Sequence, residues 1–136
     1  MQRRTIAVVN DDPTFIELVR ELLEDEGYAT TAHREGPAAV AFLQATTPDL
    51  LVLDIRLEQP EGGWAVLEAL RADPRTRRLP VIVCSADLPF LRRRAAELKA
   101  YGCAVLEKPF QITQLYTLVA MMLGTTAVKH YDELPQ

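Results

Sequence analysis

The strongest constraint on this chain is an alternation of two kinds of segment. Short, uninterrupted apolar runs occupy positions 6–9, 50–53 and 81–84, the first of them rich in β-branched residues. Between them lie longer stretches whose apolar residues recur every three or four positions. A run of four is too short for a helix, and its lack of polar alternation is the pattern of a strand buried on both faces. The intervening stretches read as amphipathic helices. Phe15, Leu18, Val19, Leu22 and Leu23 form one apolar stripe, opened by Asp12-Pro13 as cap and first-turn proline and stopped by Gly27. Residues 37–44 read as a short Ala-rich helix, and Trp64, Leu67 and Leu70 mark another that closes near Asp73-Pro74. Leu88, Leu91, Ala95 and Leu98 stripe a fourth helix ending at Gly102. Ile112, Leu115, Tyr116, Val119, Met122 and Leu123 stripe a fifth, ended by Gly124. Two weaker strands, 28–32 and 104–106, complete five strand–helix pairs.

Strands separated by helices in this way form a parallel sheet with helices on both faces and right-handed crossovers. With 136 residues, the chain is expected to be one domain over residues 1–124, followed by a polar tail, 125–136, that frays or adds a short helix. A net charge of −4 argues against nucleic acid or an anionic membrane as a direct partner. No apolar run approaches the roughly 20 residues that a membrane span needs, and MQRRTIAVVNDDP lacks the apolar core of a signal peptide. Cys84 and Cys103 have neither metal spacing nor a disulfide framework, and a cytoplasmic location is expected. His33 and His130 are isolated. The basic runs Arg75, Arg77, Arg78 and Arg92–Arg94 read as solvated faces, the second also able to pair with acids on a partner.

In an open parallel sheet the ligand crevice lies at the C-terminal ends of the strands. The first strand is followed by Asn10, Asp11 and Asp12, the second buried run by Asp54, the third by Ser85, and the last by Lys108. Each has a plain structural reading. Asp11 and Asp12 can cap a helix, a strand-end Asp can shape a turn, and Lys108 can be a solvated lysine. Their joint occurrence at the same end of successive strands points instead to one pocket. Carboxylates gathered there repel unless a cation joins them, and hard oxygen ligands suit Mg²⁺. Asp54 is then a candidate nucleophile, because a carboxylate can form an acyl phosphate. Lys108 and Ser85 would supply an ammonium and a hydroxyl to phosphoryl oxygens.

With these residues in place, the pieces VVNDDP, LLVLD, GGWAVLEALR, VIVCSA and LEKPF resemble, in order and separation, the response regulator receiver family from about Thr5 to Gly124. The resemblance implies a flavodoxin-like (βα)5 α/β fold with strand order 2-1-3-4-5. It implies phosphorylation of Asp54 by a sensor histidine kinase or phosphotransfer protein. Asp11, Asp12, Asp54 and the Arg56 carbonyl would ligate Mg²⁺, Ser85 would be the switch hydroxyl, and Lys108 the phosphate-contacting lysine. A cis bond before Pro109 is common in the family. The fourth helix, last strand and fifth helix would form the output surface and a possible homodimer interface. Catalysis beyond self-phosphorylation and autodephosphorylation is not expected.

Three departures stand out. The switch-aromatic position, three residues before the lysine, is Val105. The loop after Asp54 reads RLEQPEGGW, without a Met-Pro pair and one residue longer. Arg56 and Asp87, two residues past Asp54 and Ser85, occupy positions that tune phosphoryl lifetime; they either pair across the site or stand as separate solvated charges. The expected function is that of a stand-alone phospho-acceptor module that docks to a partner or relays phosphate. One rival is a pseudo-receiver that binds partners without phosphorylation. The other is a small doubly wound enzyme, opposed by the absence of G-x-G-x-x-G and G-x-x-x-x-G-K-[ST] loops.

Overall fold

The computed structural model describes residues 3–57 and 62–124. The expected tail, 125–136, and residues 58–61 of the loop after Asp54 lie outside the described residues. Five parallel strands, β1 (Thr5–Val9), β2 (Ala29–His33), β3 (Leu50–Asp54), β4 (Val81–Ser85) and β5 (Ala104–Glu107), form one sheet in the order β2-β1-β3-β4-β5. This is the flavodoxin-like topology that the resemblance implied. Helices α1 (Pro13–Asp25), α2 (Gly36–Thr46), α3 (Gly62–Ala72), α4 (Leu88–Arg93), α5 (Ala95–Ala100) and α6 (Ile112–Met122) connect and flank them.

The strand alternation sorts the core into two layers. Ala7, Val9, Leu51, Leu53, Val81 and Val83 pack under α2 to α5, with Leu43, Trp64, Leu67, Leu70, Phe90 and Leu98. Ile6, Val8, Leu50, Val52, Ile82 and Cys84 pack under α1 and α6, with Ile16, Val19, Leu23, Leu115 and Val119. β3 and β4 are buried along their whole length, whereas β2 is half-buried throughout, as expected for an edge strand. Among the described residues no helix is long and apolar enough to cross a membrane.

Two sequence expectations need correction. Leu18, placed on the inner stripe of α1, is 51% exposed; Ile16, Val19 and Leu23 carry the burial instead, because the helix turns its narrower i, i+3, i+7 edge to the sheet. The expected fourth helix is two six-residue helices divided at Arg94. Local propensity gives no reason for a break in LRRRAAEL. The tertiary setting does: the Arg94 guanidinium lies 4.6 Å from the Trp64 ring centre, and from there it also reaches both carboxylate oxygens of Glu97, three residues on, at 3.0 Å. Arg94 is therefore held against the protein rather than belonging to a free basic face.

The turn from β3 into α3 depends on one glycine. A Cβ at Gly63 would stand 2.0 Å from the Asp54 carbonyl oxygen and 2.6 Å from Ile55 Cα, and Gly63 N–H donates to the Ile55 carbonyl at 2.8 Å. The helix start is pressed directly onto the end of β3. Gly63→Ala is expected to cost about 1–3 kcal/mol, as overpacking does, with a matching fall in the urea midpoint. Wild-type stability in this variant would contradict the close approach.

Candidate functional site

The C-terminal strand ends gather the polar groups. Asp54 closes β3 and is 8% exposed. Its Oδ1 accepts the Arg56 N–H at 3.0 Å, and its Oδ2 faces the Lys108 ammonium at 3.5 Å. Lys108 is positioned from three sides. Its N–H donates to the Ser85 carbonyl at 2.9 Å, its bond to Pro109 is cis, and its ammonium sits 4.1 Å from the Phe15 ring centre. A cation against an aromatic face gains further stabilisation, so α1 helps aim the lysine at Asp54. Burial holds the Asp54 carboxyl above its usual range, opposed by Lys108 and the Arg56 N–H and reinforced by the nearby charge of Asp11.

Ser85 closes β4 and is 1% exposed. Its Oγ accepts the Asp87 N–H at 3.0 Å, which leaves the hydroxyl proton free to be donated. Asp87 serves two elements. One carboxylate oxygen caps α4 by accepting the Phe90 N–H at 3.1 Å, and the other faces the Arg56 guanidinium at 3.9 Å. The structure thus brings Arg56 and Asp87 together. Val105 lies on β5, paired with Val83 and 37% exposed, so the switch-aromatic position presents an aliphatic side chain to solvent.

The acidic trio expected from sequence is not assembled. Among the described residues, no group of three or more His, Cys, Asp or Glu side chains stands close enough to hold a metal ion. Asp11 is half-buried and close enough to act on Asp54. Asp12 is exposed, and its side chain caps α1 by accepting the Thr14 N–H at 2.9 Å. The cap follows from its place before Pro13 at the first helical turn.

The residue that sequence reasoning passed over is Asn10. It follows β1 directly and is 1% exposed. The register pairs Val9 with Leu53, so the next step sets Asn10 beside Asp54. Strand alternation puts both on the α1/α6 side of the sheet, two residues beyond Val8 and Val52. Its Oδ1 accepts the Asp12 N–H at 2.8 Å. The sequence carried a signal, a polar residue directly after a fully apolar strand, but two adjacent aspartates drew the assignment.

The donor set fits a hard divalent cation. Asp54 and Asp11 offer carboxylate oxygens, the Arg56 carbonyl follows two residues after Asp54, and Mg²⁺ commonly takes one or two carboxylates and keeps several waters. The raised Asp54 carboxyl is the mark of a buried charge that lacks full compensation. His33 packs on Phe42 at 4.4 Å, away from any such cluster.

Residues 6–120 match the response regulator receiver domain. A probable transcriptional regulatory protein, TcrX of Mycobacterium tuberculosis, is 33% identical over 94% of this chain. The polar-differentiation response regulator DivK of Brucella anthropi is 28% identical over 89% of this chain and 97% of its own length. This chain spans 53% of TcrX, about half of it. Among solved structures, the receiver domain of a sensor histidine kinase from Pseudomonas aeruginosa, described with magnesium in its active-site cleft, superposes with a TM-score of 0.80. It is 25% identical, over 91% of this chain and 100% of that one. A receiver domain of a histidine kinase from Syntrophus aciditrophicus gives a TM-score of 0.78 at 30% identity, covering 98% of each chain.

A group whose carboxyl is raised in the folded protein binds more protons there than when unfolded, so its contribution to stability grows as pH falls through the folded value. Without divalent cation, Asp54→Asn is therefore expected to melt above wild type at pH 7, with the gap closing as pH falls toward the usual carboxylate value of 3.8. Melting curves at several pH values check this. A gap that widens on acidification would reverse the sign of the Asp54 shift.

Proposed function

Because the chain belongs to the response regulator receiver family, we propose that it is a phospho-acceptor module in which Asp54 takes a phosphoryl group from a histidine kinase or phosphotransfer protein. The observation that carries this reading is a buried carboxylate at the end of the central strand, facing Lys108 at 3.5 Å. Burial and a single backbone donor hold Asp54 in one orientation, which supplies the positioning that phosphoryl transfer needs. An Asp54 oxygen attacks phosphorus, forming a P–O bond. The P–N bond of the donor phosphohistidine breaks, and its electron pair returns to the imidazole. Lys108 meets the charge that accumulates on the phosphoryl oxygens, and the Ser85 hydroxyl can donate to one of them.

Asp11, Asp54 and the Arg56 carbonyl are the residues that would hold Mg²⁺. Bound there, the cation supplies charge neutralisation for carboxylates and phosphoryl oxygens. The receiver family is a signalling module, and self-phosphorylation from small donors and slow self-hydrolysis are the activities assigned to this chain. Arg56 and Asp87 form a rim between the loops that follow β3 and β4, and we assign them the lifetime-tuning role. Their pairing is half-exposed and weak in itself, so its effect lies in hindering the approach of water rather than in stability. The intact Asp54, Lys108 and Ser85 constellation favours this reading over a phosphorylation-independent binding module.

Incubation with acetyl phosphate and Mg²⁺ is expected to add the mass of one phosphoryl group to wild type and none to Asp54→Asn. Failure of wild type to gain it, with the protein folded, would favour the binding-module reading. Arg56→Ala and Asp87→Ala are each expected to speed loss of the adduct by about two- to fivefold, the scale of an exposed ion pair. Unchanged decay would remove the pair from lifetime control.

A further inference from the structure

Among the described residues, Asn10 alone keeps a buried side-chain nitrogen or oxygen without any hydrogen-bond partner. Its Nδ2 is fully buried and has no partner. The amide orientation is fixed by its neighbour: Oδ1 accepts the Asp12 N–H at 2.8 Å, and the reversed amide would set donor against donor. A buried donor without an acceptor is costly unless another state of the protein supplies one. The next residue across the sheet, on the same face, is Asp54. Asp54 itself is occupied on Oδ1 by Arg56 N–H and on Oδ2 by Lys108. A phosphoryl group added to Asp54 would bring new acceptor oxygens to this end of the strand.

We infer that Asn10 is a specificity-determining residue of this pocket, whose Nδ2 donates to an oxygen of the phosphoryl group on Asp54. Its neutrality leaves the cation site with only two carboxylates, Asp11 and Asp54. This rests on the phospho-acceptor reading above and adds to it. A neutral amide beside Asp54 removes one negative charge from the surroundings of a dianionic phosphoryl group. It also removes one carboxylate from the attraction on a divalent cation. The site consequently binds the cation weakly before phosphorylation and meets the phosphoryl oxygens partly with its own donors, Lys108, Ser85 and Asn10.

Asn10→Asp tests both halves, because it retains the Oδ1 acceptor for Asp12 N–H and exchanges only Nδ2 for a charged oxygen. Asn10→Ala removes both atoms, and a cooperative melt checks that each variant is folded. In calorimetric titration with Mg²⁺ alone, Asn10→Asp is expected to bind about tenfold more tightly than wild type, the scale by which groups around a metal site tune affinity. Asn10→Ala is expected to stay within about twofold of wild type, because Nδ2 is no ligand. With beryllofluoride as the phosphoryl mimic at saturating Mg²⁺, both variants are expected to bind about tenfold more weakly than wild type, as loss of a hydrogen bond to a charged group does. Equal Mg²⁺ affinity in wild type and Asn10→Asp would overturn the charge assignment. Beryllofluoride affinity unchanged in Asn10→Ala would overturn the donor assignment. Wild type that binds Mg²⁺ but no beryllofluoride would overturn the phospho-acceptor reading and the donor role together, while the Mg²⁺ titration would still decide the charge assignment.

Discussion

Everything distinctive about this site follows from placing one carboxylate, Asp54, in a nearly dry position at the end of the central strand. A buried charge is tolerated only when its surroundings answer it. Here the answers come from different parts of the chain: an N–H from Arg56 two residues on, an ammonium from Lys108 beyond β5, and the ring of Phe15 on α1 that seats that ammonium. The sheet order β2-β1-β3-β4-β5 makes this possible, because it sets β1 and β4 on either side of β3. The compensation is incomplete, and the raised Asp54 carboxyl records the remainder. On the proposed reading, that remainder is the negative charge that a bound divalent cation would answer.

The same packing links the pocket to the α3–α4 side of the molecule. Asp87 caps α4 and faces Arg56, and Phe90, in the first turn of α4, meets the Trp64 ring edge-on at 5.9 Å. Ser85 Oγ accepts the Asp87 N–H, so the hydroxyl that closes β4 is tied directly to the residue that caps the helix. Val105 is aliphatic and half-exposed, and an inward-swinging ring is not available to this chain. The bulk beside α4 is provided instead by Trp64, Phe90 and Tyr101.

Much of this was legible in the sequence. Three apolar runs of four residues fixed the buried strands, since such runs have few alternatives in a chain of this size, and Gly27, Gly102 and Gly124 each stop a helix with a positive φ as read. Asp54, Ser85 and Lys108 were picked out as candidates by their places at the strand ends, and the structure sets Lys108 against Asp54. What the sequence left open was discrimination between neighbours. Asp12 and Asp11 have the same chemistry, and only the proline that follows and the sheet register separate a helix cap from a group that acts on Asp54. Asn10 was overlooked because an amide carries no charge signal, although its place in register beside Asp54 matters more than its type. The break at Arg94 was hidden for a related reason: it depends on Trp64, thirty positions away in sequence and in contact only once the chain folds.

The central claim is that Asp54, and no other carboxylate of the pocket, receives the phosphoryl group. The most direct measurement is to phosphorylate the protein with acetyl phosphate and Mg²⁺, reduce the acyl phosphate with borohydride, and map the resulting homoserine by peptide mass spectrometry. The account requires homoserine at position 54. Homoserine at position 11 or 12, or none in a folded protein exposed to saturating donor, would contradict it.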